Sequence, residues 1–80
     1  MNRDEIQTRL LQILSTIAPE MEAESLDPAE DFREQLDIDS MDLLNFITAI
    51  HKQMGVNIPE ADYPQLTSLN ACIAYVAARL

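Results

Sequence analysis

The chain has 80 residues, 48% of them hydrophobic, and carries a formal net charge of −9 at pH 7 from 14 acidic and 5 basic residues. Binding to nucleic-acid phosphates needs a basic surface, so this charge argues against nucleic acid as a partner. The single glycine argues against a hairpin-rich β protein. The single cysteine, Cys72, excludes an internal disulfide framework and a cysteine-based zinc site.

Length and composition predict one domain spanning residues 1–80. A free cysteine is typical of a reducing compartment. The chain does not open with a basic-then-apolar signal segment, and it has no apolar run long enough to span a bilayer. We therefore expect a cytoplasmic protein without a membrane span, and we expect it to be a monomer.

The first predicted element is an amphipathic helix over residues 3–17. Its apolar residues recur at helical spacing and form one stripe: Ile6, Leu10, Ile13, Leu14 and Ile17. The segment Ala18-Pro19 ends the helix, because the residue before a proline is disfavoured in helical geometry.

A long acidic connection over residues 18–38 follows, in which Arg33 is the one basic residue. Its length is unusual for a compact helical domain, so we expect local structure within it. Asp27 and Pro28 predict a capped helical turn, with Asp27 as the N-cap and Pro28 in the first position. Such a turn would direct Phe32 toward the core.

A second long helix is predicted over residues 40–54, capped by a side-chain oxygen of Asp39 or Ser40 and ended by Gly55. A helical wheel places five apolar residues on its core face: Leu43, Phe46, Ile47, Ile50 and Met54. The opposite face carries Ser40, Met41, Leu44, Asn45, Thr48, His51 and Lys52. Met41 and Leu44 are thus apolar residues beside a serine on the exposed side.

The remainder of the chain predicts a short helix at 60–63, stopped by Pro64, and a last helix over 68–79 with Thr67 as its N-cap. The stripe of the last helix consists of Leu69, Ile73, Val76 and Leu80. We therefore predict an all-α fold, a four-helix bundle with three main helices, one short helix and a long first loop.

Ser40 lies among carboxylates at a helix start, and by itself a capped helix terminus explains this pattern. His51 is the one histidine and lies about three turns along the same helix, too far away to act as a base for Ser40. The spacing of Asp37 and Asp39 matches the start of a calcium-binding EF-hand loop. Asp42, however, stands where an EF-hand has Gly, and the closing Glu is missing. We therefore predict no catalytic residue, no metal site and no enzyme activity.

The tripeptide Asp39-Ser40-Met41 resembles the Asp-Ser-Leu/Met signature of acyl carrier proteins. Other segments match the family in the same order along the whole chain: Phe32-Arg33-Glu34-Gln35-Leu36, Ile58-Pro59-Glu60 and Thr67-Ser68-Leu69. The resemblance implies that Ser40 bears a 4′-phosphopantetheine arm, which a separate phosphopantetheinyl transferase attaches from coenzyme A with support from Asp39.

The same resemblance implies a function without catalysis. The arm would carry acyl groups as thioesters to acyl-loading and acyl-processing enzymes of fatty-acid, polyketide or related specialised biosynthesis. We expect those partners to contact five residues beside the serine: Met41, Asp42, Leu44, Asn45 and Thr48. Apolar cargo would fold back between the helices, shielded by core residues such as Phe46, Ile50, Ile58 and Ile73.

Two features depart from the family pattern. Asp37 replaces a usual Gly, although Asp adopts left-handed geometry more easily than most residues. The second helix carries Asn45, His51, Lys52 and Gln53, where the exposed face of typical fatty-acid carriers is acidic. Partner enzymes read that face by charge complementarity, so we expect a specialised carrier rather than the housekeeping one.

Three alternatives stay open. D-alanyl carriers can show Asp-Ser-Met, which keeps an aminoacyl or D-alanyl carrier open. Peptidyl carriers share the fold and the arm but usually have Gly or His before the serine. The third is an arm-free acidic helical interaction module, in which Ser40 would be only a cap.

Overall fold

A computed structural model describes the backbone of residues 1–80 and every side chain except that of Ala23. The helices follow in the order α1 (Arg3–Ile17), a first 3₁₀ helix (Ala23–Ser25), α2 (Phe32–Leu36), α3 (Ser40–Met54), a second 3₁₀ helix (Glu60–Gln65) and α4 (Leu69–Ala77). This confirms the predicted all-α bundle with a long first loop. None of the helices described is long and apolar enough to cross a membrane.

Helix α1 packs against both α3 and α4 and supplies one wall of the core. It begins where Asn2 caps it, since the Glu5 N–H donates to Asn2 Oδ1 at 2.8 Å. It ends at Ala18, as the following proline predicts. Four residues of its predicted stripe are buried, and Ile17 at the end of the helix is half-buried.

The long first loop contains the predicted capped turn at Asp27. Asp27 Oδ1 accepts a hydrogen bond from the Ala29 N–H at 2.9 Å, and the Asp27 carbonyl accepts from the Glu30 N–H at 3.3 Å. A separate short helix that the sequence did not predict, α2, begins at Phe32, because Asp31 accepts a bond from the Arg33 N–H at 2.8 Å and so provides its N-cap.

Phe32 joins this loop to the core. Its ring is fully buried and meets Phe46 edge-on, with 5.7 Å between ring centroids. Its N–H donates to the Thr67 carbonyl at 3.0 Å, and the Asn70 N–H donates to the Pro28 carbonyl at 2.9 Å. The loop is therefore held against the start of α4 by two backbone hydrogen bonds.

Pro64 does not stop the short helix, so the predicted bounds of 60–63 are wrong. The second 3₁₀ helix runs over Glu60–Gln65 with Pro64 inside it. A 3₁₀ helix uses i→i+3 bonds, so the proline removes one bond. The Leu66 N–H still donates to the Tyr63 carbonyl at 3.0 Å.

The N-cap of α4 is Ser68 rather than the predicted Thr67. Ser68 Oγ accepts from the Ala71 N–H at 3.1 Å, and the Ser68 carbonyl accepts the first helical bond from Cys72 at 3.0 Å. The Thr67 carbonyl accepts from the Phe32 N–H instead of a helical N–H of α4. The helix also ends earlier than predicted, and Leu80 is 55% exposed rather than part of the buried stripe.

Tyr75, to which the sequence assigned no role, ties α4 to the second 3₁₀ helix. It is buried, and its hydroxyl donates to the Asp62 carboxylate. The Arg79 guanidinium lies 3.4 Å from the ring centroid and 3.6 Å from Asp62 Oδ2. Burial, followed by the hydrogen bond that the Tyr75 hydroxyl donates to Asp62, raises the pKa of Tyr75, and the charge of Arg79 opposes this rise.

Candidate modification site at the start of α3

A sharp turn between α2 and α3 presents the serine. Asp37 ends α2 with φ 52° and ψ 43°, in the left-handed region. This confirms that Asp37 adopts the geometry for which the family usually has Gly. Ile38 then turns inward and is buried, so the turn is anchored to the core directly before Asp39.

Asp39 and Asp42 form a reciprocal capping box around the first turn of α3. The Asp42 N–H donates to Asp39 Oδ1 at 2.9 Å, and the Asp39 N–H donates to Asp42 Oδ2 at 3.4 Å. Asp39 is therefore the cap, which resolves the choice between Asp39 and Ser40. Ser40 is the first residue of α3 and is exposed, and no hydrogen bond to the residues described engages its hydroxyl.

The other three serines are placed differently. The Ser15 hydroxyl donates to the Gln12 carbonyl at 2.6 Å, and the Ser25 hydroxyl donates to the Glu22 carboxylate at 3.4 Å. Ser68 is buried and caps α4. Ser40 thus combines exposure, a free hydroxyl within the described structure and a place at the N-terminus of a long helix.

The structure brings four of the five predicted partner-facing residues to one exposed face with Ser40. Met41 is 66% exposed and Leu44 is 44% exposed. Asn45 and Thr48 are also exposed, and the Thr48 hydroxyl donates to the Leu44 carbonyl at 2.9 Å. Asp42 is half-buried instead and faces the capping box.

A groove of about 550 Å³, which the sequence did not predict, lies beside the first turn of α3. The end of α1, the first loop and the α2–α3 turn line it, with Met21, Leu36 and Ile38 among its apolar residues. Apolar residues scattered through the acidic loop were the signal that could have indicated it. The residues expected to shield cargo are buried in the core and do not line this groove: Phe46, Ile50, Ile58 and Ile73.

The exposed hydroxyl lies where a phosphate-linked group would fit. The free N–H groups at a helix N-terminus favour phosphate, and a group bonded to this hydroxyl would leave the core undisturbed. Among the residues described, no group of three His, Cys, Asp or Glu side chains is placed to hold a metal ion. The fold and site define a small helical domain with an exposed serine at the N-terminus of a long helix.

Comparison with known proteins agrees with this class. A family model described as "Phosphopantetheine attachment site" matches residues 8–76. The acyl carrier protein of Rubrobacter xylanophilus is 30% identical over 95% of this chain and 93% of its own length. The acyl carrier protein of Acidothermus cellulolyticus is 26% identical over 96% of this chain and 90% of its own length. The chain belongs to the acyl carrier protein family.

Some relatives are longer. The chain spans 66% of a putative mitochondrial acyl carrier protein of Schizosaccharomyces pombe, at 26% identity over 92% of this chain. It spans 59% of a mitochondrial acyl carrier protein of Neurospora crassa. The chain is thus matched over nearly its whole length by relatives of different sizes.

Membership of the family confirms three predictions. The cofactor is a covalently attached 4′-phosphopantetheine. The chain is a carrier and not an enzyme. A carrier acts through partner enzymes.

Proposed function

We propose that this chain carries acyl groups on a phosphopantetheine arm attached to Ser40 and delivers them to enzymes of fatty-acid, polyketide or related specialised biosynthesis. One observation carries the assignment of Ser40. Its hydroxyl is exposed at the N-terminus of α3, while the capping role that would have occupied it falls to Asp39. The bound arm supplies a thiol that holds the acyl group as a thioester.

The Ser40 hydroxyl forms a phosphodiester bond to the phosphopantetheine portion of coenzyme A, adenosine 3′,5′-bisphosphate leaves, and the hydroxyl proton passes to the transferase. Asp39 fixes the first turn of α3 through its 2.9 Å bond to the Asp42 N–H. It also places a carboxylate next to the serine, where the phosphopantetheinyl transferase reads it. Ser40 is thereby held on a rigid helix terminus rather than on a mobile loop.

Partner enzymes dock on the exposed face of α3. Met41 and Leu44 provide its apolar contact, and Asn45 and Thr48 lie beside them. Lys52 extends this face with a basic side chain. Complementary charge governs association rate and specificity, so this mixed surface favours a dedicated set of enzymes over those of a strongly acidic housekeeping carrier.

Three further predictions accompany the proposal. The chain acts as one domain over residues 1–80, it is a monomer, and its compartment is the cytoplasm. Burial of the free thiol of Cys72 is compatible with a reducing compartment. Two relatives are named as mitochondrial acyl carrier proteins, so the compartment of this chain stays a prediction.

Intact-mass measurement after incubation with coenzyme A and a promiscuous phosphopantetheinyl transferase tests the assignment. The wild type gains the mass of one phosphopantetheine, and Ser40→Ala gains none. Ser15→Ala is the matched control, because Ser15 is also exposed and helical but bonds to its own backbone turn; it loads like the wild type. No gain on the wild type would favour the arm-free interaction module. An equal gain on Ser40→Ala would place the arm on another residue and refute the assignment of Ser40.

A further inference from the structure

We propose that the groove beside α3 holds the neutral, amide-bearing part of the phosphopantetheine arm when no partner enzyme has drawn it out. This inference rests on the proposed attachment at Ser40. It concerns the side of α3 that faces α1 and the first loop, and not the space between the core residues Phe46, Ile50, Ile58 and Ile73. The groove would make the unengaged arm part of the carrier surface.

The groove begins close to Ser40 along the chain. Ile38 and Asp42 both line it, and each is two residues from Ser40 along the chain. Two residues span at most about 7 Å between Cα atoms, so the backbone of Ser40 lies near the rim of the groove. Residues two apart on a helix do not share a face, so the arm has to cross the first turn of α3 to enter the groove. An arm tethered there samples the groove at an effective concentration on the order of millimolar, so even weak contacts fill it.

The size and lining of the groove also fit the arm. Its volume of about 550 Å³ lies within the roughly 300–1,000 Å³ typical of small-molecule sites. Met21, Leu36 and Ile38 offer apolar surface to the paired methyl groups of the arm. The carboxylates of Asp37 and Asp42 can accept hydrogen bonds from its amide N–H groups and its hydroxyl.

Charge decides which part of the arm enters. Glu20, Glu22, Asp37 and Asp42 all line the groove, and they repel an anionic phosphodiester. Asp39 and Asp42 are also at the N-terminus of α3, so the phosphate is kept there by its covalent bond to Ser40, with the free helix N–H groups beside it. The phosphate therefore stays at the helix terminus, and the uncharged remainder of the arm passes over the first turn into the groove.

The groove can also keep its shape. Gln35 accepts a hydrogen bond from the Asp27 N–H at 2.7 Å and donates to the Asp27 carbonyl at 2.9 Å, which links α2 to the loop before it. Ile38 and Leu26 are buried and anchor two walls. A preformed groove costs the arm less entropy on binding than a surface that must first become ordered.

Isotope-filtered NMR on holo protein, with a labelled arm, tests the inference. We expect nuclear Overhauser contacts from the paired methyl groups of the arm to the side-chain methyls of Met21, Leu36 and Ile38. We expect none to Ile58, which does not line the groove. Contacts confined to Ile58, or no contacts from the arm to any protein methyl, would overturn the proposal.

A matched pair of variants adds a second readout. Leu36→Gln replaces a half-buried leucine of the groove, and Leu11→Gln replaces a half-buried leucine of α1 that does not line it. The first variant loses the contacts from the arm to Met21 and Ile38, and the second keeps them. Retention of these contacts in Leu36→Gln would contradict the proposed position of the arm.

The mass of each sample separates the two proposals. A sample that gains the phosphopantetheine mass but lacks the expected contacts refutes the groove and leaves the carrier function intact. A wild type that gains no mass refutes the attachment on which both depend. Both variants are loaded before the NMR measurement, so failure of loading is seen before the contacts are sought.

Discussion

Replacement of Asp39 separates its capping role from its role beside the serine. Asp39→Ala removes the 2.9 Å bond from the Asp42 N–H, whereas Asp39→Asn keeps an equally good cap acceptor and removes the charge. Loss of an N-cap costs about 1 kcal/mol, and loss of an acid near a helix N-terminus costs about 0.3–1 kcal/mol. We therefore expect a loss of about 1.5 kcal/mol for alanine and about 0.5 kcal/mol for asparagine.

Thermal unfolding followed by circular dichroism measures this difference. For a domain of this size each kcal/mol shifts Tm by about 4–8 °C, so alanine lowers Tm by about 6–12 °C and asparagine by about 2–4 °C. Asp42→Ala is the internal comparison. Its side chain accepts at a longer distance of 3.4 Å, so its loss of Tm is smaller than that of Asp39→Ala. Equal losses for alanine and asparagine at position 39 would refute the capping argument.

Loading kinetics provide the complementary measurement. If the transferase reads the carboxylate of Asp39, both variants load more slowly than the wild type, even though Asp39→Asn retains the cap. A wild-type loading rate for Asp39→Asn would mean that the cap, and not the charge, supports attachment. The two assays together separate the hydrogen-bond acceptor of Asp39, which caps the helix, from its negative charge, which the transferase reads.

Three further predictions concern stability. Phe32→Ala costs about 3–5 kcal/mol in urea unfolding, because its ring is fully buried against the core; a loss below 1 kcal/mol would contradict this packing. Burial raises the pKa of Cys72 to about 12 from 9.0, so the thiol ionises first in the unfolded chain and stability falls by about 1.4 kcal/mol per pH unit above pH 9. We expect Cys72→Ala to lack this part of the loss of stability at alkaline pH. Urea unfolding of both proteins at several pH values above 9 measures the difference. Gly55→Ala costs about 1–2 kcal/mol, because a residue with a side chain is strained at φ 70°. An added Cβ would meet no atom within 4 Å, so this cost comes from the backbone alone. Asp37→Gly at the other left-handed position changes stability by less than about 1 kcal/mol, and equal losses at the two sites would refute the backbone argument.

The helices that form from local signals could be predicted closely. The bounds of α1 and α3 agree with the sequence, because both have a regular apolar stripe between clear caps. The left-handed geometry of Asp37 was expected from the family resemblance, since acyl carrier proteins usually have Gly there and Asp adopts this geometry more easily than most residues. The exposure of Met41 and Leu44 beside Ser40 followed from helical periodicity.

Helix boundaries in the second half of each connection were predicted less well. Ser is a somewhat better N-cap than Thr, and Ser68 makes the capping bond to the Ala71 N–H. Helix α2 begins at Phe32 because Asp31 caps it through bonds to N–H groups two and three residues along, so this signal was local and was missed. The bond from the Phe32 N–H to the Thr67 carbonyl joins residues far apart in sequence, and no local pattern reveals it.

The sequence by itself determined the helical class, the two long amphipathic helices and the serine that the acyl carrier pattern marks. These features depend on residue spacing and on side chains a few positions apart. The cap by Asp39 is equally local, since it joins residues three positions apart. Tertiary structure decided that the Thr67 carbonyl accepts from Phe32, that Tyr75 binds Asp62, and that a groove opens beside the serine. The groove exists because the first loop, α1 and α3 are packed against a common core, and that packing brings together residues that are distant in the sequence.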